Sequence, residues 1–182
     1  MKIYTNLEKQ LSPLCVALGY FDGIHKGHQK VITAAVKLKK HGFIPTVFTF
    51  NQNPKSIIFG TPEHRITDEK LKEKILEEMG IEILYKVDFE NLRNLSAENF
   101  VKEVLHEKLN AKYVVCGFNY HFGKNGIADA YDLKRICLDY EIKTKIASPV
   151  LYKHEPISST RIRKALLNND SESVSQMLNL SK

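Results

Sequence analysis

The chain has 182 residues, 43% of them apolar and 26% charged, and its 27 Lys and Arg against 21 Asp and Glu give a formal net charge of +6. That length supports one core of ordinary size, and the composition excludes a disordered chain, which would carry fewer aromatic and aliphatic residues. The positive sign admits nucleic acid, an acidic membrane surface or a phosphorylated small molecule. Most of the basic residues, however, are spread along helical stretches such as KLKKHG and EKLKEKILEE, which read as solvated faces, and no basic run carries interleaved aromatics. No nucleic acid and no membrane is therefore expected as a partner.

The three cysteines, Cys15, Cys116 and Cys137, have no C-x-x-C spacing, so neither a disulfide framework nor a thiolate zinc site is expected and a reducing cytoplasm fits best. The opening MKIYTNLEKQLSPLCVALG breaks its apolar residues with Glu8, Lys9, Gln10 and Pro13, which denies it the h-region of a signal peptide. No apolar segment is long enough to span a bilayer, and the N-x-S matches at Asn94 and Asn179 read as chance sequons.

In chain order, LCVALGYF predicts a buried strand, and Val31, Ala34, Ala35 and Leu38 predict a helix from Gly27 to about Lys40 with Gly42 able to cap it. FIPTVFTF predicts a second buried strand, with Phe48 and Phe50 alternating between core and rim. A turn-rich connection from Asn51 to about Arg65 follows, longer than a connection needs. Thr67 is expected to cap the next helix, with Ile66 and Leu71 as its staple and Ile75, Leu76 and Met79 facing inward up to Gly80. IEILYKVDF predicts a strand. Ser96 is expected to cap a helix stapled by Leu95 and Phe100, with Val101, Val104, Leu105 and Leu109 behind them. AKYVVCGF returns to strand, then come a loop over 119–126, a helix to about Tyr140, the strand IKTKIA, the loop SPVLYKHEPISST and two short helices. This alternation predicts a single domain over 1–182 of class α/β, a Rossmann-like parallel sheet with helices on both faces. Ligands of such sheets sit at the carboxyl ends of the strands, where the His- and Gly-rich loops should converge.

One of those loops, LGYFDGIHKGHQKVI, sets His25 and His28 among Gly19, Gly23 and Gly27 at a helix start. Glycines let a backbone turn sharply and approach a ligand, and a helix start offers unpaired N–H groups to phosphate. Both imidazoles could then reach one phosphate, their positive charge favoured by the anion between them. H-x-x-H alone is weak; two such histidines are commonly surface or capping residues, and a metal site needs further ligands. Asp22 could be one of those ligands, or could simply hold the turn. Neither a P-loop nor a G-x-G-x-x-G fingerprint is present. A second cluster, ISSTRIR, enters the last helix with Ser158, Ser159, Thr160, Arg161 and Arg163. A serine there can be only a cap, but two arginines alongside suit the outer phosphates of a triphosphate.

Four blocks in order, GYFDGIHKGHQKVI, FTFNQNPK, VVCGFNYHFGKNG and ISSTRIRKAL, resemble the HxGH nucleotidyltransferases. More narrowly, they resemble the FMN adenylyltransferase (FAD synthetase) module of bacterial bifunctional riboflavin kinase/FAD synthetases. The resemblance implies the HxGH nucleotidyltransferase fold and transfer of AMP from ATP to FMN, with Mg²⁺ bridging the triphosphate. It implies catalytic roles for His25, His28 and Arg161, and ATP contacts from Gly19, Phe21, Asp22, Gly23, Ser158, Ser159, Thr160 and Arg163. It places FMN against Asn53, Pro54, Asn119, Phe122 and Gly123, while His121 and His154 read as surface residues and Lys55 as either an anion contact or a solvated loop lysine. The chain departs from the family where Pro-His-Pro usually follows the FTF strand, here Gln52 and Asn53 before Pro54, and where Tyr20 replaces an Asn common in relatives. The β-barrel riboflavin kinase and its Pro-Thr-Ala-Asn motif are not found in the sequence, so a separate riboflavin kinase is expected to supply FMN. Two alternatives stand beside this reading: a catalytically weakened flavin- or nucleotide-binding relative, and a nucleotidyltransferase with another phosphate acceptor.

Overall fold

The computed structural model describes residues 1–60 and 65–178. Residues 61–64, part of the long connection, and Asn179, one of the two sequons, lie outside the described residues. The strands are β1 (Lys2–Tyr4), β2 (Leu14–Leu18), β3 (Ile44–Phe50), β4 (Ile83–Val87), β5 (Ala111–Gly117), β6 (His121–Phe122), β7 (Ala128–Asp129), β8 (Lys143–Ala147), β9 (Leu151–Tyr152) and β10 (Glu155–Pro156). The helices are α1 (Lys26–Val36), α2 (Pro54–Phe59), α3 (Glu69–Glu78), α4 (Ala97–Asn99, continued as π-helix over Phe100–Lys108), α5 (Ala130–Leu138), α6 (Ser159–Leu167) and α7 (Ser171–Leu178).

Six strands form one sheet in the order β1-β4-β3-β2-β5-β8, every neighbouring pair parallel. β2 is buried throughout, and its pleat divides the core. Leu14, Val16 and Leu18 face α4 and α5, while Cys15 and Ala17 face α1 and α3. The expected parallel sheet with helices on both faces is therefore the one observed. The chain runs outward from β2 to β3 and later returns to β5 on the opposite side of β2. The crevice above the ends of β2 and β5 is thus a topological switch point, where doubly wound sheets bind ligands.

Caps set most boundaries. Gly42 closes the turns after α1 with φ 84°, and Ser96 Oγ accepts from Asn99 N at 3.1 Å. Thr67 is not the cap of α3: Asp68 is, its carboxylate accepting from Leu71 N at 2.9 Å, while Thr67 is buried. The long connection after β3 contains α2, capped by Asn53 Oδ1 on Lys55 N at 2.9 Å with Pro54 in the first turn. Strand β1 and the hairpins β6–β7 and β9–β10 stand where loops or no element were expected; two- and three-residue strands are too short to show an alternation. A third, smaller apolar cluster, Ile157, Ile162, Ala165 and Met177, joins α6 and α7 to the rim.

Candidate active site

The histidine loop leaves β2 at the switch point under strain that packing holds. Phe21 and Ile24, neither of them glycine, have φ of 56° and 36°, and both are buried. The Tyr20 carbonyl just before Phe21 accepts from Thr49 Oγ1 at 2.9 Å and from Lys72 Nζ at 3.0 Å. Two of the glycines serve the chain itself rather than a ligand. A Cβ on Gly19 would lie 2.9 Å from Phe21 Cζ, and one on Gly27 3.0 Å from His25 Cε1. Gly23 meets both demands, with φ 83° and a Cβ position 3.0 Å from Ile66 Cγ2.

His25 caps α1, its Nδ1 accepting from His28 N at 3.3 Å, which leaves the ring proton on Nε2. The two imidazoles stack with centroids 3.6 Å apart and planes 18° from parallel, and Phe21 meets His28 edge-on at 5.3 Å. Burial holds both rings neutral. It pushes His25 down to about 4, and it lowers His28 well below the ordinary range, with His25 and Lys72 adding to the effect. The expected positive charge on this pair is therefore not present by itself; an anion between the rings would have to draw the protons in. His28 Nδ1 is buried without a hydrogen-bond partner, the kind of orphaned group a ligand satisfies.

Asp22 sits at the joint of three elements. Its carboxylate accepts from Ile66 N at 3.0 Å and Thr67 N at 3.3 Å and pairs with the Arg163 guanidinium, while its carbonyl accepts from Ser159 Oγ at 3.0 Å. The first turn of α6 is thereby pinned onto the histidine loop, so the two helix starts meet on one rim. Of the two readings of Asp22, the structure supports the residue that holds the turn. Among the described residues no group of three His, Cys, Asp or Glu could hold a metal ion.

Within α6, Ser158 is the cap, accepting from Arg161 N at 3.3 Å, and Thr160 is exposed in the first turn. Arg161, expected on the outer phosphates, is turned to the β9–β10 hairpin. It donates to the carbonyls of Glu155 (2.8 Å), Pro156 (2.9 Å) and Tyr152 (3.2 Å), and its Nε lies 3.4 Å from the Glu155 carboxylate. Two residues further along the helix, and so on nearly its opposite face, Arg163 is the arginine that reaches the loop.

A cleft of about 210 Å³ opens beside Asp22, lined by Tyr20, Arg65 and Arg163 and, across from them, by Gln52, Asn53 and Ser56. Ser56 Oγ is buried there without a partner. The residues expected to form the rest of the acceptor site are not on this cleft. Phe122 is a core residue, packed 5.7 Å from Phe100 and 5.8 Å from Tyr120. Gly123, with φ 75°, lies so close to α4 that a Cβ would be 3.0 Å from Ala97 N. Both shape the β6–β7 hairpin. Asn119 and Lys55 are exposed, as are His121 and His154. Lys72, read as part of a solvated face, is buried beneath the loop; a lysine at an inward helical position among Leu76 and Ile75 is the signal that was there to see.

A parallel sheet of this order, with a capped histidine loop facing a serine-capped helix over its carboxyl edge, is a Rossmann-like fold of the nucleotidyltransferase type. Pantoate-beta-alanine ligase from Francisella tularensis shares the fold, with a TM-score of 0.59 at 17% identity over 99% of this chain and 78% of that one. A family model described as FAD synthetase matches residues 7–161, and the chain belongs to that family of nucleotidyltransferase enzymes. It is similar to the bifunctional riboflavin kinase/FMN adenylyltransferase of Buchnera aphidicola subsp. Schizaphis graminum, at 35% identity over 95% of this chain and 57% of the relative. The chain spans about half the length of the curated relatives it matches. A solved structure described as a macrolide-efflux protein from Streptococcus pneumoniae superposes with a TM-score of 0.85 at 34% identity, covering 98% of this chain and 61% of that one. Among the described residues no helix is long and apolar enough to cross a membrane.

Proposed function

We propose that this chain transfers the adenylyl group of ATP to FMN, releasing FAD and pyrophosphate. The observation that carries the reading is the junction of the two helix starts, the 3.0 Å bond from Ser159 Oγ to the Asp22 carbonyl, in a chain of the FAD synthetase family. An oxygen of the FMN phosphate attacks the α-phosphorus of ATP in line, the bond from that phosphorus to the bridging oxygen breaks, and pyrophosphate leaves. A phosphate monoester has its second pKa near ~6, so the nucleophile is already ionised at neutral pH and no catalytic base is required. Mg²⁺ enters with ATP as part of the substrate and screens the phosphate charge.

The chain then contributes alignment and charge stabilisation. His25 and His28 donate N–H groups to the α- and β-phosphates, and a proton drawn onto either ring by the incoming anion adds a positive charge as the leaving group develops its own. The peptide groups of Phe21 and Gly23 lie along the nucleotide, with Gly19, whose N–H donates to the Phe48 carbonyl at 3.3 Å, leaving room for the Phe21 ring beneath them. Ser158, Ser159 and Thr160, at the start of α6, face the outer phosphates together with Arg163, which takes the place first expected for Arg161. On the acceptor side, the cleft carrying Asn53 and Ser56, next to Pro54, is where the FMN phosphate approaches.

The test is direct: purified protein is incubated with Mg²⁺, ATP and FMN while flavins are separated by chromatography and pyrophosphate is assayed. FAD formed in equal amount with pyrophosphate supports the reading. Flavin bound without product would make the chain a binding relative, and pyrophosphate released only with another phosphate acceptor would change the acceptor. The second outcome has a specific motive, because Asn53 stands where the resemblance implies a His and its amide oxygen caps α2.

A further inference from the structure

A lysine on an amphipathic helix ordinarily lays its stem along the apolar surface and keeps its ammonium in water. Lys72 of α3 does not, for its side chain is 2% exposed. Burying an ammonium costs several kcal/mol unless it is well paired, and among the described residues the pairing here is incomplete. The nearest carboxylate, Glu69, is 3.9 Å away and also serves Arg65 at 3.2 Å and Lys86 at 3.5 Å. Lys86 takes Glu73 as well, and Asp22 pairs with Arg163. Around Lys72, then, α3 contributes Glu69 and Glu73, the connection before it Arg65, β4 contributes Lys86, and the histidine loop Asp22: three cations share two glutamates. Burial draws the Lys72 ammonium towards its neutral form, and Glu69 and Asp22 oppose this.

The ammonium is directed at the site. It donates to the Tyr20 carbonyl at 3.0 Å and lies 5.0 Å from the centre of the Tyr20 ring. Thr49 holds the same carbonyl from β3 at 2.9 Å. Two buried donors on one oxygen fix the peptide that precedes the left-handed Phe21, and Phe21 in turn abuts His28. We propose that Lys72 is a positioning residue for the phosphate half of the site. It holds the Tyr20 carbonyl from beneath and supplies an incompletely neutralised positive charge behind His28, so that the loop stands ready for a phosphate-bearing nucleotide. This inference rests on the proposed function for the identity of that nucleotide, not for the role of the lysine.

The experiment compares the full chain with Lys72→Met, which removes bond and charge at similar volume, and Lys72→Gln, which keeps a donor for the Tyr20 carbonyl but no charge. Three measurements are made: affinity for a non-hydrolysable ATP analogue with Mg²⁺, the His28 ring-proton resonance titrated by NMR, and KM for FMN. The expected result is a loss of analogue affinity of roughly tenfold or more in Lys72→Met, the size of one hydrogen bond to a charged group, and a smaller loss in Lys72→Gln. His28 should titrate at higher pH in both, with KM for FMN unchanged. A folded Lys72→Met protein with wild-type affinity and an unmoved His28 titration would overturn the proposal. Failure of both variants to fold would also overturn it, by making the lysine purely structural. If the wild type binds the analogue but makes no FAD, the proposed acceptor falls while the comparison of variants still decides on Lys72; if it binds no analogue, both readings fall.

Discussion

The nucleotide half and the acceptor half of this site are built differently. On the nucleotide side, the histidine loop, the connection before α3 and the start of α6 are tied through one carboxylate, Asp22, and side chains separated by well over a hundred residues meet there. On the acceptor side, Asn53 caps a six-residue helix, Phe122 fills the core and Gly123 makes room for α4. One half is a network whose members depend on one another. The other is a cleft whose expected lining has been drawn into local structure, so substitutions there should act on folding before they act on chemistry.

The largest effect should come from Asp22→Ala. Removing the carboxylate breaks its ion pair with Arg163 and leaves the backbone N–H groups of Ile66 and Thr67 without their acceptor, and each unsatisfied buried donor costs about 1–3 kcal/mol. Urea unfolding reads it, and an unchanged midpoint would show that the two helix starts are not held together through this residue. His28→Ala should preserve the far-UV circular dichroism but slow FAD formation roughly 10² to 10³-fold, the usual loss for one preorganised donor. Near-wild-type turnover would remove the histidine pair from the mechanism.

The third effect is on pH. His25 is lowered from 6.5 to about 4 by burial, so the unfolded chain binds its proton first as pH falls. Stability is complete above about 6.5 and declines through the interval down to about 4, by roughly 3 kcal/mol at 1.36 kcal/mol per unit. Unfolding midpoints measured across that interval should fall, and His25→Asn, which keeps a capping oxygen, should make the fall less steep, the remainder coming from buried His28. Smallest is Gly123→Ala. With φ 75° and ψ 175°, a region essentially confined to glycine, and Ala97 N 3.0 Å from the new Cβ, it should destabilise by roughly 1–3 kcal/mol while leaving KM for FMN unchanged. A rise in that KM at unchanged stability would return Gly123 to the flavin site and erase the contrast between the halves.

The same contrast explains what could be read from residues alone. Strands β2, β3 and β5 and helices α1 and α4 announce themselves, because a buried strand is continuously apolar and a half-buried helix repeats every three to four residues. The histidine loop and the ISSTRIR cluster were also visible, since the residue types that meet phosphate are few. Which of two arginines two positions apart turns to the site was not visible: Arg161 and Arg163 differ only in what each faces once the β9–β10 hairpin has formed. For Lys72 the inward position on α3 was legible in the helical spacing, but what its ammonium meets was not, because the Tyr20 carbonyl belongs to a loop about fifty residues earlier in the chain. Gly123 and Phe122 sit in a motif that marks the family, but a motif does not say whether a residue touches a ligand or the chain's own helix.

The order of residues by itself determined the α/β class, the parallel arrangement and the two phosphate-seeking segments, because periodicity and residue chemistry act over a few neighbouring positions. The tertiary structure decided the order of strands, the pinning of α6 to the loop through Asp22, the neutrality of the two histidines and the cation beneath them. Those depend on distance and on exclusion of water, which are properties of groups brought together from far along the chain.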